Sequence, residues 1–253
     1  MPNFNVATNI GPNLKRVQDQ IAAAADRAGR KTEEITLIAV SKTFGTEAVR
    51  DAYALGLRDF GENRVQEWDS KRAGCEGLAA RWHLIGHLQS NKARRAAQIF
   101  DTVDSVDSLG LAQRLSAAMA DSTADSAGRT LDVLIEVQLA PEESKSGVIE
   151  EELPALAEGI LALPGLRLRG LMAIPPFLER AEDVRKYFRK LRELRDSLRS
   201  RFSSTGSAVG EGGEREAFSE LSMGMSHDFE VAIEEGATQI RIGTAIFGAR
   251  PPV

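Results

Sequence analysis

One lysine and two clusters of hydroxyl and glycine residues are the parts of this sequence best suited to chemistry. Lys42 follows a continuous apolar segment, separated from it by Ser41 alone. If that segment is a buried strand, burial disfavours the ammonium form, and a lysine with a lowered pKa is a nucleophile that condenses with aldehydes. The alternative is a lysine whose alkyl stem packs at the strand end while its amine reaches solvent.

The hydroxyl and glycine residues recur in two short segments near the C-terminus. These segments are Ser222-Met223-Gly224-Met225-Ser226 and Arg241-Ile242-Gly243-Thr244. Hydroxyls and backbone N–H groups in such loops can surround a phosphate, and a helix predicted just after Ser226 adds the positive end of its dipole. Each segment alone is also compatible with a tight turn. Together with a nucleophilic lysine they indicate a phosphorylated aldehyde, and pyridoxal 5'-phosphate (PLP) is the commonest such cofactor.

The elements that must position these residues alternate between strands and helices. Residues 35–40 form an apolar, β-branched run typical of a strand buried on both faces of a parallel sheet. The other predicted strands are 58–61, 82–85, 102–103, 131–137, 166–173, 218–223 and 239–242. The predicted helices between them are 46–55, 64–71, 91–98, 109–119, 151–162, a long one from Val184 to Leu198, and 228–235.

Eight strands separated by helices predict an α/β fold, a single (β/α)8 barrel domain over residues 1–253. The chain opens with an amphipathic helix behind Pro12, in which Leu14, Val17 and Ile21 recur at helical spacing. No helix is predicted after the eighth strand, so the opening helix would cover the seam in the outer ring. In such a barrel the strands' C-terminal ends share one face, where Lys42 and both hydroxyl segments would meet. An open, doubly wound sheet is the alternative.

Composition excludes several classes of function. The net charge of -5 argues against a general nucleic-acid binder, which usually has a strongly basic balance. The single cysteine, Cys75, cannot form an intrachain disulfide, and this predicts a reducing, cytoplasmic location. Neither a secretory leader nor the roughly 18 apolar residues of a membrane span are present, so no membrane association is expected. His83 and His87 fall in a predicted strand and loop, so no metal site is predicted.

Several sequence blocks, in order along nearly the whole chain, resemble the pyridoxal phosphate homeostasis protein family. They are Ala39-Val40-Ser41-Lys42, Phe60-Gly61-Glu62-Asn63 with Gln66-Glu67, Trp82-His83-Leu84-Ile85-Gly86 with Leu88-Gln89-Ser90-Asn91-Lys92, Gly170-Leu171-Met172-Ala173-Ile174-Pro175, 221–226 and 241–248. The resemblance implies a barrel like the N-terminal domain of alanine racemase. It also implies an internal aldimine between PLP and Lys42, and a role in intracellular PLP homeostasis.

Carried over position by position, the resemblance assigns a set of cofactor-binding residues. They are Lys42, Asn63, Met172, Ser222, Met223, Ser226, Arg241, Gly243 and Thr244. Lys42 would form the aldimine, and Ser226, Gly243 and Thr244 would hold the phosphate. Arg241 would face the pyridine nitrogen, keeping it unprotonated and the ring a poorer electron sink. The remaining residues would line the ring.

The sequence departs from the family pattern at two places, and it leaves the role of one further lysine undecided. His87 stands where many members have proline, and residues 250–253 lack the terminal lysines of some relatives. The second departure puts in doubt any cofactor relay that depends on such lysines. Lys145 matches another family lysine and would be either a solvated charge or a contact to a second PLP.

Two functions remain, a PLP carrier and a PLP-dependent amino-acid racemase or related enzyme. A two-base racemase needs a second acid/base, which alanine-racemase-like enzymes take from an added domain of the partner subunit. This sequence ends at the predicted barrel, and Tyr53 and Tyr187 fall in predicted outer helices. We therefore expect a monomeric carrier without catalytic residues, with apo-enzymes as candidate recipients of PLP.

Overall fold

Eight parallel strands close into a barrel surrounded by helices. The computed structural model describes residues 7–121, 129–140, 146–203 and 217–249. The strands are β1 (Thr36–Val40), β2 (Asp59–Glu62), β3 (Arg81–Leu84), β4 (Thr102–Val106), β5 (Leu131–Glu136), β6 (Leu166–Met172), β7 (Glu220–Met225) and β8 (Gln239–Ile242). Each strand pairs in parallel with the next, and β8 pairs with β1. The predicted barrel is therefore confirmed, and the open doubly wound sheet is wrong.

The helices between the strands form the outer layer. They are α1 (Ala7–Arg27), α2 (Thr46–Ala54), α3 (Val65–Lys71), α4 (Ala93–Ile99), α5 (Leu109–Ala120), α6 (Leu153–Leu161), α7 (Ala181–Ser203), α8 (Phe229–Glu234) and α9 (Thr244–Phe247). Short 3-10 helices lie at Thr32–Glu34, Arg72–Cys75 and Ser90–Lys92. Among the described residues, no helix combines the length and the apolar character that crossing a membrane requires.

The opening helix α1 closes the ring beside α8 and α9, which confirms the predicted extra helix. Leu14 and Val17 on its inner face are buried. On its outer face Arg27 forms ion pairs with Glu230 and Glu234 of α8, at 2.9 and 2.7 Å. Apolar burial fixes where α1 lies on the barrel, while these half-exposed ion pairs add little free energy.

Several element boundaries differ from the predicted ones for identifiable reasons. α1 begins at Ala7, so Pro12 lies inside the helix rather than ahead of it. β4 continues beyond Val103 to Val106, because Asp104 and Ser105 are buried despite being polar. A ninth helix follows β8, and its four residues are too few to show helical periodicity in a sequence.

The barrel interior is polar over much of its length. Ile38, Leu134 and Met172 are fully buried in the barrel strands. Buried polar residues form two separate groups: Arg169 lies 3.7 Å from Asp132 and 3.2 Å from Glu220, and Arg241 donates to Ser222 Oγ at 2.8 Å. Barrels of this type usually fill the interior with branched apolar residues. The polar side chains must therefore satisfy one another or a ligand.

Candidate cofactor-binding site

Lys42 is the second residue after β1, at the C-terminal mouth of the barrel. The preceding Ser41 is fully buried and donates its Oγ–H to Glu62 Oε1 at 2.6 Å. Lys71 Nζ lies 2.7 Å from the same Glu62 oxygen and donates to the Ser41 carbonyl oxygen at 2.9 Å. This network fixes the backbone just before Lys42, whose own side chain is half-buried.

The backbone just after Lys42 is also held in place. Thr43 has a φ of 68°, a left-handed conformation that non-glycine residues rarely adopt. Its N–H donates to the Glu67 carboxylate on α3, which offsets the cost of that conformation. Bonds from α3 thus reach the loop on both sides of Lys42 and set the direction in which it leaves β1.

The loops after β7 and β8 meet at the same mouth. The Ala245 N–H donates to Ser226 Oγ at 3.4 Å, which joins the two loops. A Cβ added to Gly243 would lie 3.4 Å from the Val40 carbonyl oxygen, so Gly243 packs against the end of β1. Thr244 is exposed at the first turn of α9. Gly243 and Thr244 therefore follow β8, which pairs with the strand before Lys42, and Ser226 follows β7, the next strand around the barrel.

Arg241 is buried inside the barrel below these loops. Its Nη1 donates to Ser222 Oγ at 2.8 Å and its Nη2 to the Ala173 carbonyl oxygen at 2.9 Å. Burial lowers the pKa of Arg241, while the carboxylates of Asp104 and Glu136 act in the opposite direction. Arginine remains charged even so, because its ordinary pKa exceeds 12. The site thus has a fixed, buried cation on its floor.

Of the residues predicted to line the cofactor ring, Met172 and Ser222 face the barrel interior, whereas Met223 faces the helices. Met172 pairs in register with Ser222, so both side chains point to the same side of the sheet, into the barrel. The Asn63 carbonyl oxygen would lie 2.4 Å from a Cβ at Gly86, so the loops after β2 and β3 pack tightly together. Met223 follows Ser222 and packs in the core between sheet and helices. The structure thus brings Met172 to the Arg241 site but directs the Met223 side chain away from it.

Two buried acids at this site had no place among the sequence predictions. Asp104 Oδ2 lies 3.5 Å from Ser222 Oγ, and Glu136 at the end of β5 accepts a hydrogen bond from Ser146 Oγ at 3.0 Å. Burial raises the pKa of Glu136, and its Oε2 has no hydrogen-bond partner among the described residues. The available signal was an acidic residue inside or at the end of a predicted buried strand. Lys145 lies outside the described residues.

Comparison with known proteins identifies the relatives of this site. Residues 13–251 match the family model for the alanine racemase N-terminal domain. The chain is 45% identical over 242 residues to the pyridoxal phosphate homeostasis protein of Aquifex aeolicus, covering 96% of this chain and 99% of that protein. The chain belongs to the pyridoxal phosphate homeostasis protein family. The predicted resemblance is thus confirmed.

Two solved structures that resemble this chain are a relative with PLP bound and an alanine racemase. PipY of Synechococcus elongatus, determined with PLP bound, has a TM-score of 0.74 and 37% identity, over 90% of this chain and all of that chain. Alanine racemase of Clostridium difficile has a TM-score of 0.68 and 15% identity, over 97% of this chain and 58% of that chain. The second likeness shows the fold alone, and it confirms the predicted racemase-like barrel.

Proposed function

We propose that this family member binds PLP at the C-terminal mouth of its barrel and hands it on to apo-enzymes rather than turning over a substrate. The observation that carries the proposal is the buried Arg241, held by Ser222 and Ala173 beneath the strand ends that surround Lys42. Support also comes from PipY, which binds PLP, and from the relatives' name as homeostasis proteins.

The residues at the mouth fit the chemistry of PLP. Lys42 supplies an amine for the aldehyde, and Ser226 and Thr244 supply hydroxyls for the phosphate. Gly243 has no side chain, so its backbone N–H can approach a phosphate closely. Met172 supplies an apolar surface for the ring. These residues come from β1, β6, β7 and β8, whose C-terminal ends face the same mouth.

Arg241 would decide which chemistry the bound cofactor supports. PLP supplies an electron-withdrawing ring that stabilises negative charge next to a substrate's amine. A guanidinium can donate a hydrogen bond to the ring nitrogen but does not give up a proton at neutral pH. With Arg241 facing it, the ring nitrogen of bound PLP would stay unprotonated and the ring would withdraw electrons weakly. This favours retention and release of the cofactor over catalysis.

The alternative, an amino-acid racemase, needs a second proton-transferring group opposite Lys42. Tyr53 and Tyr187 lie in the outer helices α2 and α7. Glu136 is the buried acid at this mouth with an unsatisfied oxygen. We propose that it acts as a structural acceptor for Ser146 rather than as a base.

The discriminating experiment follows both functions in one preparation. PLP-loaded protein is incubated with single L- and D-amino acids in deuterated water, exchange at Cα is measured, and activation of an apo-enzyme is measured separately. We expect efficient transfer and negligible exchange. Turnover near the roughly 1–1000 per second of enzymes, lost in Glu136→Gln but not in Glu136→Asp, would establish the racemase instead.

We also propose that the chain works as one domain, as a monomer, in the cytoplasm. All eight described strands belong to one barrel, and the single cysteine, Cys75, is buried without a disulfide. Light scattering should give a mass near 27.4 kDa at micromolar concentration. A mass twice as large would contradict the monomer.

A further inference from the structure

Four basic side chains beside the cofactor mouth have no ion-pair partner among the described residues. They are Arg64, Lys92, Arg94 and Arg114, and none of them lies within 4.0 Å of a carboxylate in the described part of the chain. In contrast, Arg185 on the outer helix α7 lies 2.6 Å from a Glu234 oxygen. The four cations are therefore available to an external anion in a way that Arg185 is not.

These cations border two neighbouring grooves, which we call the basic grooves. The first, of about 450 Å³, lies between the loops after β2 and β3 and is lined by Arg64 and Lys92 with the amides of Gln66 and Gln89. The second, of about 250 Å³, has Arg94 and Arg114 on its walls. The 3-10 helix Ser90–Lys92 contributes to both, so the grooves form one continuous surface.

The basic grooves adjoin the mouth of the barrel. Arg64 directly follows Asn63, whose carbonyl packs against Gly86, and His87 lines the first groove. The block Leu88-Gln89-Ser90-Asn91-Lys92, which the cofactor site leaves unused, builds the wall between the grooves. A molecule bound here would lie next to the entrance of the cofactor site.

The charge of this surface is opposite to that of the whole protein. The chain has a net charge of -5, but in the described part of the chain Asp121 is the only acidic residue that lines the second groove and no carboxylate lines the first. Asp107 lies nearby, 3.4 Å from His87 Nδ1. The rest of this acidic protein's surface repels acidic molecules, whereas the basic grooves attract them.

We infer that the basic grooves bind an acidic segment of a partner protein. The cations are spread over two grooves, which suits an extended chain of carboxylates better than one phosphate. Among the residues that the structure describes, no aromatic side chain lines either groove, whereas single-stranded nucleic acids depend on stacking. That the partner is an apo-enzyme receiving PLP rests on the proposed function; the binding itself does not require the cofactor.

A fluorescein-labelled octaglutamate peptide tests the surface directly by fluorescence anisotropy at low salt. The test variant combines Arg64→Gln, Lys92→Gln, Arg94→Gln and Arg114→Gln. The control variant loses four exposed cations elsewhere, through Arg16→Gln, Lys31→Gln, Arg72→Gln and Lys186→Gln. We expect the test variant to bind about tenfold or more weakly and the control to bind like the wild type.

Three results would overturn the inference. The first is unchanged peptide binding by the test variant. The second is an equal loss of peptide affinity in the control variant. The third is an octathymidylate probe that binds the wild type more tightly than the peptide does and binds the test variant more weakly. Circular dichroism establishes that both variants are folded. The same variants loaded with PLP give a second readout. Cofactor retention should be unchanged because Lys42 is intact, so a failed peptide experiment does not count against the cofactor site.

Discussion

The two mouths of the barrel use charged side chains in opposite ways. At the N-terminal mouth the charges neutralise one another. Arg81 and Arg167 both contact Asp132, and Arg169 lies 3.2 Å from Glu220. A cavity of about 790 Å³ opens here, but its buried acids are matched by arginines. This mouth thus has the character of a structural network.

The C-terminal mouth instead brings hydrogen-bond donors from several strand ends together. Lys42 and Ser226 lie on loops and Thr244 begins α9, while Arg241 is held beneath them by hydrogen bonds to Ser222 and Ala173. The comparison teaches that cavity size does not identify a site in this fold. The C-terminal mouth is distinguished instead by the convergence of an amine and two hydroxyls from separate strand ends above the buried cation of Arg241.

The largest effect is expected from breaking the network of ion pairs at the N-terminal mouth. Asp132→Ala leaves Arg81, Arg167 and Arg169 without their shared carboxylate, and removing one partner of a buried ion pair costs about 3–5 kcal/mol. The free energy of unfolding, measured by urea denaturation, should fall by that amount. PLP retention by the folded protein should not change. Loss of PLP binding with an unchanged free energy of unfolding would instead place the PLP site at the N-terminal mouth.

A second prediction concerns His83, which lies between the two mouths. Burial disfavours the imidazolium, but the carboxylates of Asp104 and Asp59, 3.5 and 3.1 Å from the ring nitrogens, outweigh it and raise the pKa of His83 to about 9. Because this pKa exceeds the ordinary value of 6.5, the stability gained from protonation is complete below pH 6.5 and is lost as pH rises through 9. The loss should be on the order of 3 kcal/mol.

Urea denaturation at several pH values between 6 and 9.5 measures this loss. The variant His83→Gln should lack it, because glutamine does not titrate. An equal slope in the wild type and the variant would show that another group is responsible.

The smallest effect is expected from removing single hydroxyls at the C-terminal mouth, and it tests whether they bind the phosphate. Ser226→Ala and Thr244→Ala should each weaken PLP binding by roughly 1.5–3 kcal/mol, about ten- to hundredfold, because each removes a hydrogen bond to a charged phosphate. Binding of unphosphorylated pyridoxal and the free energy of unfolding should change little. Equal losses for both ligands would mean that these hydroxyls support the fold.

The sequence predicts the barrel well and the interior of the site only in part. Strand and helix alternation carries the fold, and β8 is predicted to the residue at Gln239–Ile242. The hydrogen bond from Arg241 to Ser222 depends on strand register, which local sequence does not encode. Side-chain alternation along β7 was available, however. Once Ser222 faces the interior, Met223 has to face the helices.

The central claim is that Lys42 is the residue that holds PLP. The most direct measurement is borohydride reduction of the PLP-loaded protein followed by peptide mass spectrometry, with Lys42→Ala as the matched control. We predict a pyridoxyl adduct on the peptide containing Lys42, and a folded Lys42→Ala variant without the adduct or the yellow colour. An adduct mainly on Lys145, or one that persists in Lys42→Ala, would contradict the claim.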